Sequence, residues 1–313
     1  MHSAVGRKNG VSMRNVVIVG GSGFLGQHTA RRFVRAGECV WATHSINKEP
    51  PLVEGVQWLA TDLASSAITA RWPTKCDVVI FLAQARNWRQ FPEGADDVFR
   101  INLGALHQTT QYARNSGAKK LLVASTGSVY SASPKAMREV DVIDANGSRT
   151  FYAASKLAAE VLLGPFTKHV DITQLRIFMP YGSGISPDML FPQLVKRVQT
   201  GQPISLHGSD GMRINPIAAT DVAEAFWRCS GLNGSSVLNL GGAVEWTLRG
   251  VGETIGKVVG VAPRFETQPG VQAPVVVGEI GALRRALRWA PSISLEDGIR
   301  SWLGIESITR MAG

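Results

Sequence analysis

Tyr152-Ala153-Ala154-Ser155-Lys156 sets a phenol and an ammonium four residues apart, on one face of any helix that carries them. A free phenol ionises near ~10, too high for proton transfer at neutral pH. A neighbouring cation favours the phenolate and brings the group towards the working range. The pair alone is a weak sign. Ahead of it, Ser125-Thr126-Gly127-Ser128-Val129-Tyr130 follows directly on the apolar run Leu121 to Ser125. Open α/β sheets bind ligands at such strand ends, so the Thr126 hydroxyl can hydrogen-bond a reacting oxygen beside the tyrosine.

A second feature lies near the start of the chain. Val16 to Val19 is a β-branched run of a buried strand, and Gly20-Gly21-Ser22-Gly23-Phe24-Leu25-Gly26 follows it into a helical pattern. Gly20 suits a tight turn, Gly23 lets backbone approach a pyrophosphate, and Gly26 lets the helix pack on the sheet. The free N–H groups and partial positive charge of that helix start then face the phosphates. An acid at the end of the second strand grips the adenosine ribose of NAD and repels the extra phosphate of NADP. Here that place reads Thr43-His44-Ser45 with Lys48 beyond. His44, Ser45 or Lys48 can meet a phosphate, so NAD or NADP is expected, with NADP slightly favoured.

These groups need elements to hold them. Strands are expected at Val16 to Val19, Cys39 to Thr43, Asp77 to Ala83, Leu121 to Ser125, Asp171 to Phe178 and Ser236 to Leu240. Helices are expected at Leu25 to Ala36, Asn102 to Asn115, Phe151 to Leu163, Phe191 to Gln199 and Leu248 to Val259. Their alternation predicts an α/β fold, a Rossmann-type doubly wound parallel sheet with a smaller interlocked C-terminal substrate lobe. Residues 1–13 read as a flexible tail and 14–180 as the dinucleotide-binding domain, with a return near 214–240. Residues 181–213 and 241–313 form the substrate lobe.

Composition narrows the partners. The net charge is +9, but Arg and Lys are dispersed without aromatic interleaving, which favours small anionic ligands over nucleic acid. No apolar stretch approaches the ~20 residues of a membrane span, and the first twelve residues lack a secretory apolar region. Cys39, Cys76 and Cys229 are scattered, and no histidine has metal-ligand spacing, so reduced thiols, no metal and a cytoplasmic setting are expected.

From about Asn15 to Trp302 the chain resembles the extended short-chain dehydrogenases/reductases, the NAD-dependent epimerase/dehydratase family. The matching pieces, in order, are the glycine turn, Asp77 to Ala83, Asn102, the Ser/Thr-rich strand end and the Tyr152/Lys156 helix. Leu175 to Gly182, Gly208 to Arg213, Asp221 to Ala225, Asn239 to Gly242 and Trp289 to Pro291 follow. The resemblance implies Tyr152 as general acid/base, Lys156 on the nicotinamide ribose and Thr126 orienting substrate. It implies Asp62 and Leu63 over the adenine, and Leu82, Ala83, Gln84 and Asn102 along the cofactor. The substrate would be a nucleotide-activated sugar, with Ser128 near it and Arg213 at its pyrophosphate; by its own place in the loop after Phe81 to Gln84, Trp88 either lines the substrate pocket or serves ordinary packing. A homodimer through the helices Asn102 to Asn115 and Phe151 to Leu163 is also implied.

Departures narrow the reaction. Dehydratases of this family carry Asp-Glu after the catalytic Thr, and related decarboxylases a Glu at the second place; here Gly127 and Ser128 stand there. Met179 replaces a frequent asparagine and Phe81 a frequent histidine. Reduction of a 4-keto sugar and 4-epimerisation both remain. So do an NADPH-dependent reductase of a non-sugar ketone or aldehyde and a non-catalytic dinucleotide sensor, the latter opposed by the intact Tyr-Lys pair.

Overall fold

The computed structural model describes residues 13–144 and 150–305; apart from Met13, the expected tail lies outside the described residues. The first elements are β1 (Asn15–Val19), α1 (Phe24–Arg35), β2 (Cys39–His44), β3 (Val56–Ala60) and β4 (Val78–Phe81). Then come α2 (Ala95–Phe99), a π-helical turn (Arg100–Ala105), α3 (Leu106–Asn115), β5 (Lys120–Thr126), α4 (Phe151–Leu163) and β6 (Asp171–Ile177). They build a seven-stranded sheet in the order Ser236–Leu240, β6, β5, β4, β1, β2, β3. The pairings of β1 with β2 and β4, of β2 with β3 and of β4 with β5 are parallel. The order turns back between β1 and β4, which makes this the doubly wound sheet that the alternation predicts.

Two compact units divide the chain. The first comprises 13–129, 150–175 and 223–237 of the described residues, the second 130–144, 176–222 and 238–305. The expected boundaries near 180, 214 and 240 therefore shift, and the stretch after Val129 groups with the second unit. In the first unit β1, β4 and β5 are apolar on both faces, as a helix-covered parallel sheet requires. Val17, Val79, Phe81, Leu121, Val123 and Ile172 form its core with Leu106 and Ala159 from the helices. The second unit has its own core around Tyr181, Phe191, Leu194, Leu206, Val251, Ile255 and Ile299.

The second unit holds the helices Leu190–Gln199, Leu248–Val259, Gly281–Leu287 and Leu295–Leu303 with short strands such as Ile204–His207 and Phe265–Gln268, while the helix Ala219–Cys229 is divided between the two units. Met179 has a left-handed backbone, φ 43°, a conformation that asparagine tolerates better than methionine.

Candidate active site

The glycine turn leaves β1 and enters α1. Gly20 has φ 84°, and a Cβ there would stand 2.6 Å from the Ala83 nitrogen. Such a place takes only glycine. At Gly26 a Cβ would stand 2.2 Å from the Gly20 carbonyl oxygen, so the helix can close on the turn only without a side chain. The turn is fastened to the end of β2: Gly20 N–H donates to Thr43 Oγ1 at 2.8 Å, and Ser22 N–H to the Thr43 carbonyl at 3.2 Å. Thr43 is a residue that sequence reasoning passed over; its place at a strand end facing a glycine turn was the available signal.

α1 begins with Gly23 as N-cap, no side-chain cap bond and no acid in its first turn. Its leading N–H groups around Phe24 and Leu25 suit a phosphate. Beyond β2, His44, Ser45 and Lys48 share one tight turn. His44 Nδ1 lies 2.9 Å from the Lys48 carbonyl oxygen, and Lys48 N–H donates to the Ser45 carbonyl at 3.1 Å. Asp62 is exposed and accepts from Ala64 N–H at 3.0 Å, while Leu63 packs on the core. Leu82 and Ala83 continue from β4 beside the glycine turn, with Leu82 N–H donating to the Val19 carbonyl at 2.8 Å. Next to them, Gln84 Oε1 is buried without a hydrogen-bond partner. An orphaned acceptor of this kind marks a place for a donor from outside the chain. The residues present thus fit a dinucleotide.

The residues expected to be catalytic come from β5 and α4. Thr150 caps α4 by accepting from Ala153 N–H at 3.2 Å, which sets Tyr152 in the first helical turn. Lys156 is 6% exposed and donates from Nζ to the Ala124 carbonyl oxygen at 3.1 Å. One residue further along β5, Ser125 Oγ donates to Glu160 Oε1 at 2.5 Å. A hydrogen bond joins Thr126 to the Tyr152 phenol. Three consecutive strand residues therefore meet Lys156, Glu160 and Tyr152, the stripe that a four-residue helical repeat presents. Thr126 Oγ1 also accepts from Ser128 N–H at 3.2 Å, which leaves the threonine proton for the phenol oxygen.

The electrostatics differ from the expectation. Burial raises the phenol of Tyr152 above its ordinary range, and only the Thr126 hydroxyl pulls it back. The ammonium stands 5.9 Å from the Tyr152 ring centroid, and burial lowers its own pKa to about 8. Desolvation outweighs the charge effect that the spacing suggested. Asn102 also has a different setting. Lying in the π-helical turn, it accepts from Ala85 N–H at 3.4 Å and donates to Ser155 Oγ at 2.9 Å. Ser155 Oγ in turn donates to the Tyr152 carbonyl at 2.7 Å. This chain ties the end of β4 to the first turn of α4.

Of the expected substrate residues, Ser128 is exposed in the turn after β5, and Trp88 lies against Tyr152 with ring centroids 4.5 Å apart. Arg213 belongs to the second unit, where its guanidinium pairs with Glu245. Tyr130 is in the same unit, held by Arg176 Nη1 at 2.7 Å and by Asn239 Oδ1 at 2.9 Å.

The family model of the NAD dependent epimerase/dehydratase family matches residues 16–241, a span that includes the glycine turn, Thr126, Tyr152 and Lys156. The chain belongs to that family. A UDP-glucuronate 4-epimerase of Thermodesulfobacterium geofontis is 24% identical, over 91% of this chain and 93% of its own length. Among solved structures, a UDP-glucose-4-epimerase of Stenotrophomonas maltophila with NAD and formylated UDP-arabinopyranose superposes with TM-score 0.81 at 20% identity. That match covers 96% of this chain and 100% of the other. A UDP-glucuronic acid 4-epimerase of Bacillus cereus with UDP-glucuronic acid and NAD gives TM-score 0.78 at 20% identity, over 93% and 98% of the two chains. At that identity the structural likenesses carry the epimerase/dehydratase fold.

Proposed function

We propose that this protein is an NAD(P)-dependent enzyme that inverts or reduces C4 of a nucleotide-activated sugar, with 4-epimerisation of a UDP-sugar the first expectation. The observation that carries this reading is the half-buried Tyr152, whose phenol is hydrogen-bonded to Thr126 at the end of β5. The 4-epimerases among its relatives support it. A dinucleotide, when held by the glycine turn, would supply hydride chemistry at C4. Tyr152 takes the C4 hydroxyl proton and gives it back to the carbonyl oxygen. Thr126 donates to the same oxygen and strengthens as charge develops there. Lys156 spends one N–H on Ala124 and keeps two for ribose hydroxyls. The turn after β5 carries Gly127 and Ser128, with no carboxylic acid to expel water as dehydration demands.

A second reading, reduction by NADPH, rests on His44, Ser45 and Lys48 beyond β2, none of which is an acid that would repel a 2′-phosphate. Work in the cytoplasm as a homodimer completes the proposal. Exposed Phe99, Val161 and Leu162, at 60%, 69% and 57%, give the α2 and α4 surfaces the apolar character of an interface.

The test is incubation with UDP-sugars and their 4-keto derivatives, with NAD or NADPH, following absorbance at the reduced nicotinamide and product stereochemistry together. Isomerisation without net redox marks the epimerase, and stoichiometric NADPH loss the reductase. Tyr152→Phe should keep cofactor affinity while turnover falls at least ~100-fold. Unchanged turnover in that variant would reject the role of the phenol.

A further inference from the structure

Trp88 belongs to the loop between β4 and α2, which is built rather than slack. Gln90 N–H donates to the Asn87 carbonyl at 2.8 Å and Ala95 N–H to the Pro92 carbonyl at 3.0 Å. Asn87 Nδ2 donates to Asp97 Oδ2 at 2.8 Å, and Ala85 N–H to Asn102 Oδ1 at 3.4 Å. Against the first turn of α4 this loop sets two aromatic pairs on consecutive residues. Phe91 stacks on Phe151 with centroids 5.4 Å apart and planes 29° apart. Trp88 meets Tyr152 at 4.5 Å with planes tilted by 45°. The Arg89 guanidinium lies 4.3 Å from the Trp88 ring centroid, close enough for a cation–π contact that fixes the indole.

We propose that Trp88 is a positioning residue for the reaction: its indole holds the Tyr152 ring at the angle that delivers the phenol oxygen to Thr126. The inference rests on the proton transfer proposed above. A tyrosine in the first turn of a helix, half-buried and tied by one hydrogen bond, can still swing about its two side-chain torsions. A ring contact removes that freedom. The stake is large, because a misplacement of ~1 Å in a reacting group costs on the order of 100-fold in rate. Trp88 therefore acts through Tyr152, a different part from either the pocket wall or the ordinary packing first expected of it.

Trp88→Ala and Trp88→Phe in the full chain test this. Trp88→Ala should leave the dissociation constant for NAD within about twofold and KM within a few-fold, while kcat falls on the order of 100-fold. Trp88→Phe, which restores a ring, should recover at least about tenfold of that loss. Wild-type kcat in Trp88→Ala would overturn the proposal. So would equal losses in both variants, or a fall in NAD affinity matching the fall in kcat. If the wild type turns over no nucleotide sugar, the proposed function fails instead, and a thermal-melting cycle of Trp88→Ala, Tyr152→Ala and the double variant decides. Non-additive Tm changes are expected from rings in contact, and additive changes would overturn the contact.

Discussion

Lys156 stores a cost that pH can reveal. Its ammonium is buried, and burial brings its pKa down to about 8, whereas an unfolded lysine holds its proton to about 10.4. Between those values the unfolded chain binds more protons than the folded one, so this group makes stability rise as pH rises through the window. Below pH 8 both states are charged and the whole desolvation cost stands. Above the unfolded value both are neutral and the cost is gone. Lys156→Met should thus be more stable than wild type at pH 7 by about 2 kcal/mol, even after losing the bond to Ala124. The advantage should vanish near pH 10.5. Urea denaturation at the two pH values measures it, and a pH-independent difference would contradict a charged, buried lysine. At this scale the sequence shows which side chains gather but not the sign of the phenol's shift. Four-residue spacing and a strand-end hydroxyl pointed to Tyr152, Lys156 and Thr126. The reversal of the phenol's pKa comes from tertiary burial, which no spacing encodes. Thr43 and Ser155 escaped for the same reason, since their partners Gly20 and Asn102 are distant in sequence.

The turn from β1 into α1 can be tested as an element. Gly26 sits where a Cβ would press within 2.2 Å of the Gly20 oxygen and 2.7 Å of Gly21, all backbone with no side chain to give way. Gly26→Ala should therefore push α1 off the turn, cost about 1–3 kcal/mol as overpacked sites do, and abolish NAD binding. Gly117→Ala is a control for general glycine loss: its backbone is left-handed, φ 75°, unlike that of Gly26, and nothing stands within 4 Å of its Cβ position. Calorimetric titration with NAD separates the two, and retained binding in Gly26→Ala would refute the close-packed turn. Elements with clear periodicity were legible nearly to the residue, as with Phe151–Leu163, Leu248–Val259 and Ser236–Leu240. The helix expected to start at Asn102 instead begins at Ala95 and passes through a π-helical turn. There the Asn102 side chain serves Ala85 and Ser155, and a wider turn in this place is a familiar mark of a functional site. Two-residue strands such as Pro180–Tyr181 and Arg213–Ile214 carry no pattern long enough to read.

Over the whole molecule, interleaving was visible in the sequence and its borders were not. The chain passes repeatedly between two compact units, and because the crossings at 175/176, 222/223 and 237/238 fall within β6, the helix Ala219–Cys229 and the strand Ser236–Leu240, no composition change marks them. The expected association of copies is a question at this scale. Val161 and Leu162 occupy the outward side of α4, and Phe99 ends α2, which packs on α4. A two-fold pairing would set each patch on its own copy, and a stable pair of this kind buries ~800 Å² per partner. The patch is also free of the buried pairs that hold Tyr152, so its substitution leaves those pairs in place. Val161→Glu with Leu162→Glu would bring like charges together across the two-fold axis. Light scattering at micromolar concentration should then give twice the chain mass for wild type and the single chain mass for the variant. A wild-type protein already monomeric under those conditions would mean that these helices face solvent, and that the apolar side chains on them need another explanation.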